Sequence, residues 1–188
     1  MTLILLRHGQ SQWNLENRFT GFHDIDLSEL GIEEARNAGA HLASRKIDAV
    51  FCSTLRRARR TAEIAMAEAG QAMMLPQMSM SDALRERDYG ALTGLNKAET
   101  AQKYGDEQVH IWRRSYDVRP PEGESLADVV NRVGAYYERV MKPVIAANQT
   151  TLVSAHGNSL RALLIVLRIE TPESIMKREL NTGEPIFL

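Results

Sequence analysis

Two strand-like runs in this chain end in the same way, and that shared ending constrains its fold more than any other feature. Residues 3–6 form a continuous apolar run that stops abruptly at Arg7-His8-Gly9. The run TTLVSA, residues 150–155, stops at His156-Gly157-Asn158. A short apolar run reads as a strand buried on both faces, as in parallel sheets covered by helices. Ligand sites in such proteins gather where the strands end. Two strands that each deliver a histidine and then a glycine therefore suggest paired imidazoles around one anion.

The rest of the pattern alternates strand and helix. Ser28 is placed to cap a helix running to about Ser44, with Ile32, Ala35, Gly39 and Leu42 inward. IDAVFCS reads as a second strand, followed by a helix over 55–69 that ends at Gly70. Residues 71–94 are mixed, with a short strand near Met78; helices fit 96–104 and 106–115. PPEGES is the clearest loop, and Ser125 with Asp128 resembles a capping box opening a helix. That helix carries Val129, Val133, Tyr136, Tyr137 and Val140 on one face, and Pro143 is expected to kink or end it. After TTLVSA come an apolar helix over 159–167, a short helix in TPESIMKREL, and a final extended PIFL. The expected class is α/β: three layers, with a mostly parallel central sheet flanked by helices.

Bulk properties narrow the function classes. A length of 188 residues suits one domain over 1–188. A net charge of −1 gives no support to a nucleic-acid partner. No stretch approaches the length of a membrane span, and Arg7 and His8 interrupt what would be a signal sequence, so a cytoplasmic protein is expected. Cys52, the single cysteine, excludes an internal disulfide and reads as a small buried residue.

The chemistry follows from residue type. A neutral imidazole attacks phosphorus; a protonated one only donates. A phosphate needs several cationic donors, and Arg7 supplies a planar pair beside His8. The turn after His156 leads into a helix whose first amides face any anion there. Neighbouring positive charge is expected to lower the His8 pKa and keep its attacking nitrogen free. The scattered histidines form no metal-ligand spacing, so no metal is expected.

The segments RHGQSQWN, NRFTGFHDIDLSELG, STLRRARRT, RERDYGALTGLNKAET, WRRS and HGNSLRAL resemble the cofactor-dependent phosphoglycerate mutases of the histidine phosphatase superfamily. The resemblance runs from Leu3 to about Pro185. RHG alone marks only the superfamily; RFTG, YGALTGLNK, WRR and HGNSLRA together are specific to the mutase branch. It implies His8 as the nucleophile, Glu86 as the proton shuttle, and Arg7, Arg57 and His156 around the transferring phosphoryl group. Arg56, Arg59 and Arg60 are left as a solvated helix face. Ser11, Asn14, Thr20 and Gly21 are implied on the phosphate and hydroxyl side. Tyr89, Lys97, Arg113 and Arg114 are implied at the distal phosphate and carboxylate, and Gly157 and Asn158 as backbone donors. Gly9, Gln10, Gln12 and Trp13 complete the first matched segment, with Trp13 and Trp112 packing beside the site. Arg87 and Asp88 complete the segment around Glu86. A carboxylate facing bound phosphate would have its pKa raised.

The resemblance also implies a ping-pong interconversion of 3-phosphoglycerate and 2-phosphoglycerate in glycolysis and gluconeogenesis, with 2,3-bisphosphoglycerate as the priming donor. The implied partners are small phosphorylated three-carbon acids, and the inherited assembly is a homodimer. A broad-specificity histidine phosphatase is the alternative; it would not need Lys97, Arg113 or Arg114. Three departures stand out. Only SYDVRPPEGES joins the double arginine to the late helix, where longer members carry an insertion, which puts the homodimer in doubt. The sequence stops at Leu188, where longer members continue into a tail over the site, so a wetter pocket and bisphosphoglycerate phosphatase activity are expected. Asp88 stands where a histidine is more usual.

Overall fold

In a computed structural model that describes residues 2–147 and 149–188, five strands form one sheet. They are β1 (Thr2–Arg7), β2 (Ala49–Ser53), β3 (Ser79–Ser81), β4 (Thr150–Ala155) and β5 (Pro185–Phe187), in the order β3-β2-β4-β1-β5. The first four pair in parallel; β5 runs antiparallel along β1. Side chains alternate across the sheet, and both faces are covered. Ile4, Leu6, Val50 and Leu152 pack on one side against Ala38 and Leu42 of α2 (Glu29–Leu42) and Ala65 and Met66 of α3 (Arg56–Glu68). Leu3, Leu5, Phe51 and Val153 pack on the other against Val129 and Val133 of α6 (Leu126–Tyr136) and Leu160 and Leu163 of α8 (Gly157–Val166). The result is the expected three-layer α/β architecture. Burying each such aliphatic side chain contributes about 1.5–3 kcal/mol.

Local chemistry sets the element boundaries. The Ser28 hydroxyl accepts from the Gly31 amide at 3.1 Å and opens α2. Within α2, Ala38 is buried where Ile32 was expected, and Ile32 is half-buried. The Asn96 side chain accepts from the Ala98 amide and opens α4 (Lys97–Tyr104), which leads into α5 (Asp106–Arg114). The Ser125–Asp128 capping box forms as expected. Pro143 does not end its helix. It sits in the first turn of α7 (Lys142–Ala146), where its missing amide is no loss, and the preceding turn, Tyr137–Met141, widens to a π turn. A four-residue α1 (Gln12–Leu15) was not foreseen. The expected tail helix shrinks to a single 3₁₀ turn, Ile175–Lys177, because Ile175 and Leu180 are both pinned in the core. Cys52 is fully buried, and burial pushes its thiol up to about 12. Among the described residues, no helix is long and apolar enough to cross a membrane.

Candidate active site

Strand register brings the two histidines together. Arg7 pairs with Ala155 at the last step of the β1–β4 ladder, and the next amide, that of His8, donates to the Ala155 carbonyl at 3.0 Å. The His8 and His156 rings therefore leave the sheet side by side, with centroids 4.9 Å apart and planes tilted by 60°. Both are buried. His8 Nδ1 lies 2.7 Å from the Gly9 carbonyl. A carbonyl only accepts, so Nδ1 carries the proton and Nε2 keeps its lone pair. His156 Nε2 lies 2.8 Å from the hydroxyl of Ser53, the last residue of β2, while its Nδ1 is buried without a partner. Burial, then Arg57, then Arg7 hold His8 well below its ordinary pKa; burial, Arg57 and His8 do the same for His156. The direction for His8 is the one the sequence suggested, with desolvation leading and charge second.

Two guanidinium groups flank the imidazoles. Arg57, in the first turn of α3, is 1 % exposed. It donates to the carbonyls of His23 and Gly21, each at 2.9 Å. Arg7 donates to the Leu180 carbonyl at 2.6 Å. Each leaves its Nε buried and unpartnered. Burial brings Arg57 down to about 10. Buried donors on cationic groups that open on one cavity are a cradle for an anion. The neighbouring arginines do otherwise: Arg56 is exposed, Arg59 pairs with Glu63, and Arg60 with Asp26.

Glu86 closes the inner wall. Its carboxylate accepts from the Arg87 amide at 2.8 Å and the Asn158 amide at 3.1 Å. The α8 amide expected to face a ligand is thus given to Glu86. Burial pushes the Glu86 pKa up, but the Arg87 amide, Arg57, Arg7 and Asn158 together take it below the ordinary value. In the free protein, donors and cations outweigh desolvation. Arg132 of α6 fixes the segment, donating to the carbonyls of Ala83, Arg85 and Glu86 and to both carboxylate oxygens of Glu124. Glu124 in turn accepts from the Asp88 amide.

The cavity that Arg7, His8, Arg57 and Glu86 share has a volume of about 220 Å³, and His156, fully buried beside His8, is not among the residues that line it. Asn14, Thr20, Gly21, Tyr89, Lys97, Arg113, Arg114, Gly157 and Asn158 all reach it. Arg113 and Arg114 end α5 and both line the cavity, although adjacent helical side chains point about 100° apart. Burial lowers the Lys97 pKa. Arg18, Phe19, Arg161 and Glu179 line it as well and were not foreseen. Arg161 was legible in principle, lying one helical turn after Gly157 on the same face.

Several residues implied by the resemblance lie behind the cavity instead. Gly9 meets the start of α2 so closely that a Cβ would sit 2.2 Å from the Gly31 carbonyl oxygen. The Gln10 amide donates to Glu34 and its side chain accepts from Ser28. Ser11 is buried as the cap of α1, accepting from the Asn14 amide. Gln12 donates its amide to the Asp26 carbonyl. Trp13 stacks on His23 at 4.2 Å. Arg87 is fully buried and donates to the Tyr89 hydroxyl and the Trp112 and Arg113 carbonyls. The Asp88 carboxylate accepts from the Gly90 amide, which turns the chain at a positive φ. These residues shape the walls; their side chains do not line the cavity.

Residues 3–184 match the Histidine phosphatase superfamily (branch 1), and the chain belongs to that family. It is 54 % identical over 186 residues to a protein of Xanthobacter autotrophicus named 2,3-bisphosphoglycerate-dependent phosphoglycerate mutase, covering 98 % of this chain and 89 % of the relative. A relative of the same name in Methylocella silvestris is also 54 % identical, with the same coverage. Among solved structures, a mycobacterial glucosyl-3-phosphoglycerate phosphatase complexed with VO3 superposes with a TM-score of 0.85 at 26 % identity, covering 99 % of this chain and 91 % of that one.

Proposed function

We propose that this protein interconverts 3-phosphoglycerate and 2-phosphoglycerate through a phosphohistidine at His8. The observation that carries the reading is that one cavity holds two sets of groups. A nucleophile, a carboxylate and buried guanidinium groups line it, and so do Lys97, Arg113 and Arg114. Hydrolysis of a monophosphate needs only the first set. The unpartnered Nε atoms of Arg7 and Arg57 fit a phosphoryl group, and the further cations fit a second anion on the same molecule.

Bound 2,3-bisphosphoglycerate supplies the priming phosphoryl group. His8 Nε2 takes it, forming an N–P bond as the donor's O–P bond breaks, while Arg7, Arg57 and His156 offset the charge on the equatorial oxygens. In the forward transfer the N–P bond breaks and the acceptor hydroxyl forms the new O–P bond. Glu86, ionised in the free protein, takes the hydroxyl proton. In the return transfer the other phosphate delivers its phosphoryl group to Nε2, and Glu86 gives the proton back to the leaving alkoxide. Lys97, Arg113 and Arg114 hold the second phosphate meanwhile. No step is routed through a metal. The substrates are small cytoplasmic phosphorylated acids, and the chain works as a homodimer or alone without change to this chemistry.

A second reading is hydrolysis. The phosphatase that superposes on this chain shows that the family's scaffold also carries that activity. Water in place of the acceptor hydroxyl would release phosphate from phospho-His8, so bisphosphoglycerate phosphatase is included as a side reaction. A coupled assay on 3-phosphoglycerate, run with and without 2,3-bisphosphoglycerate and with EDTA, tests the proposal. Stimulation by the bisphosphate, resistance to EDTA and inhibition by vanadate are expected. Phosphate release with no 2-phosphoglycerate formed would reassign the protein as a phosphatase.

A further inference from the structure

One peptide group connects His8 to a carboxylate, that of Glu34, which does not line the cavity. The carbonyl of the peptide joining Gly9 to Gln10 is the one that holds the Nδ1 proton of His8, at 2.7 Å. The N–H of the same peptide, on Gln10, donates to Glu34 Oε2 at 2.6 Å. The order is therefore carboxylate, peptide N–H, peptide carbonyl, imidazole N–H. In a trans peptide the N–H and the carbonyl point in opposite directions, so the carboxylate and the ring flank one rigid plane. Its neighbours leave that plane little freedom. The Gly9 amide donates to Thr61 Oγ1 at 3.0 Å, and the Gln10 carbonyl accepts from the Ser28 amide at 2.9 Å. Glu34 is itself held. It lies in α2, half-buried, and its Oε1 accepts from the Thr182 hydroxyl at 2.9 Å. The next residue, Gly183, turns at φ 68°, where a Cβ would come within 2.5 Å of Glu34 Cβ. The Gly183 amide donates to the Arg7 carbonyl at 3.0 Å. One carboxylate thus ties together the loop after His8 and the tail turn that packs on Arg7.

We infer that Glu34 is a positioning residue for His8 and acts on it through the Gly9–Gln10 peptide. This rests on the reading of His8 as the nucleophile. A hydrogen bond from an amide to a carboxylate is charge-assisted, shorter and roughly twice as strong as a neutral one. It polarises the peptide, and the carbonyl at the other end becomes a better acceptor, because linked hydrogen bonds strengthen one another. A stronger acceptor at Nδ1 keeps the proton on that nitrogen and fixes the ring, so the Nε2 lone pair stays free and aimed. The same pull raises the electron density of the ring, as a carboxylate behind a metal-bound histidine does. Placing the charge one peptide away has a further effect. A carboxylate touching His8 would repel the phosphoryl group, whereas Glu34 polarises the ring from outside the cavity.

The test combines heteronuclear NMR of the histidine rings in the full, unphosphorylated chain with the rate of acid-labile phosphohistidine formation from 2,3-bisphosphoglycerate. Wild-type His8 is expected as a single tautomer, protonated at Nδ1, with that proton far downfield. Glu34→Met removes both hydrogen bonds. The Nδ1 proton should move upfield, and phosphorylation should slow about ten- to hundredfold, the cost of a misplaced nucleophile, with KM for 3-phosphoglycerate nearly unchanged. Glu34→Gln can accept from Gln10 and donate to Thr182, so it loses only the charge. There the proton should move less, and the rate should fall about fivefold. A thermal melt of each variant checks folding, and Glu34→Gln carries the test if Glu34→Met does not fold. A lower midpoint with the wild-type His8 resonance and rate would make Glu34 a staple of the fold and overturn the inference. A slower rate with the resonance unmoved would place the effect in the tail turn and Arg7, and overturn it equally. So would wild-type His8 protonated at Nε2. If wild type forms no phosphohistidine and the resonance still moves in Glu34→Met, the phosphoglycerate reading fails and the link from Glu34 to His8 stands.

Discussion

The two glycines that follow the two histidines look alike in sequence and do different work in the structure. Gly9 is pressed against backbone, with a would-be Cβ 2.2 Å from the Gly31 carbonyl oxygen. Gly157 faces side-chain nitrogens and a carboxylate across an open cavity. Gly9→Ala is therefore expected to cost stability, about 1–3 kcal/mol from overpacking, seen as a lower denaturation midpoint. Gly157→Ala should keep its midpoint and lose kcat/KM, because the new methyl pushes on Arg161. Equal midpoints for the two variants would contradict this distinction. Sequence alone could not separate them, since only the register of β1 against α2 and α8 says what each lacking side chain would meet. The chemistry of His8, Glu86 and Arg57 was legible because each stands in a motif. Arg161 stands in a motif too, HGNSLRAL, but only its place one turn after Gly157 on α8 brings it to the cavity. The lowered Glu86 pKa of the free protein was legible only in part: the Arg87 amide that leads it is next in sequence, whereas Arg57, Arg7 and the Asn158 amide come from distant elements, Asn158 from 72 residues away.

At the scale of elements, α6 matters to the site through one side chain. Arg132 ties three carbonyls of the segment before and at Glu86, and its partner Glu124 holds the amide of Asp88. Arg132→Met removes that clasp while keeping the helix. We expect a loss of about 1.5–3 kcal/mol per charged hydrogen bond left unmade, reduced by water at this partly open position, and a fall in kcat as Glu86 loses its aim. Activity and midpoint both unchanged would show the clasp to be idle. Helix starts were readable here because Ser28, Asn96 and Ser125 each cap by a local hydrogen bond. The π turn before Pro143 and the collapse of the tail helix were not, because packing of Met141, Ile175 and Leu180 into the core decides them.

For the whole molecule, two neutral buried imidazoles make stability depend on pH. Both histidines sit well below 6.5 in the folded chain and return to about that value when it unfolds. Below pH 6.5 the unfolded chain binds protons the folded one refuses, so stability falls as pH falls. Moving from pH 7.5 to 5.5 should remove up to about 3 kcal/mol, at about 1.4 kcal/mol per pH unit for each histidine. Denaturant titrations at the two pH values check this; a flat or inverted dependence would mean at least one ring is charged in the native state.

The central claim is that His8 passes a phosphoryl group between the two phosphoglycerates. It is tested most directly by incubating the protein with 2,3-bisphosphoglycerate carrying labelled phosphate, mapping the label, and chasing it with 3-phosphoglycerate. The account predicts an acid-labile label on His8, absent from His8→Ala, that moves onto the phosphoglycerate pool and yields 2-phosphoglycerate. Label on any other residue, or label that leaves His8 only as inorganic phosphate, would contradict it.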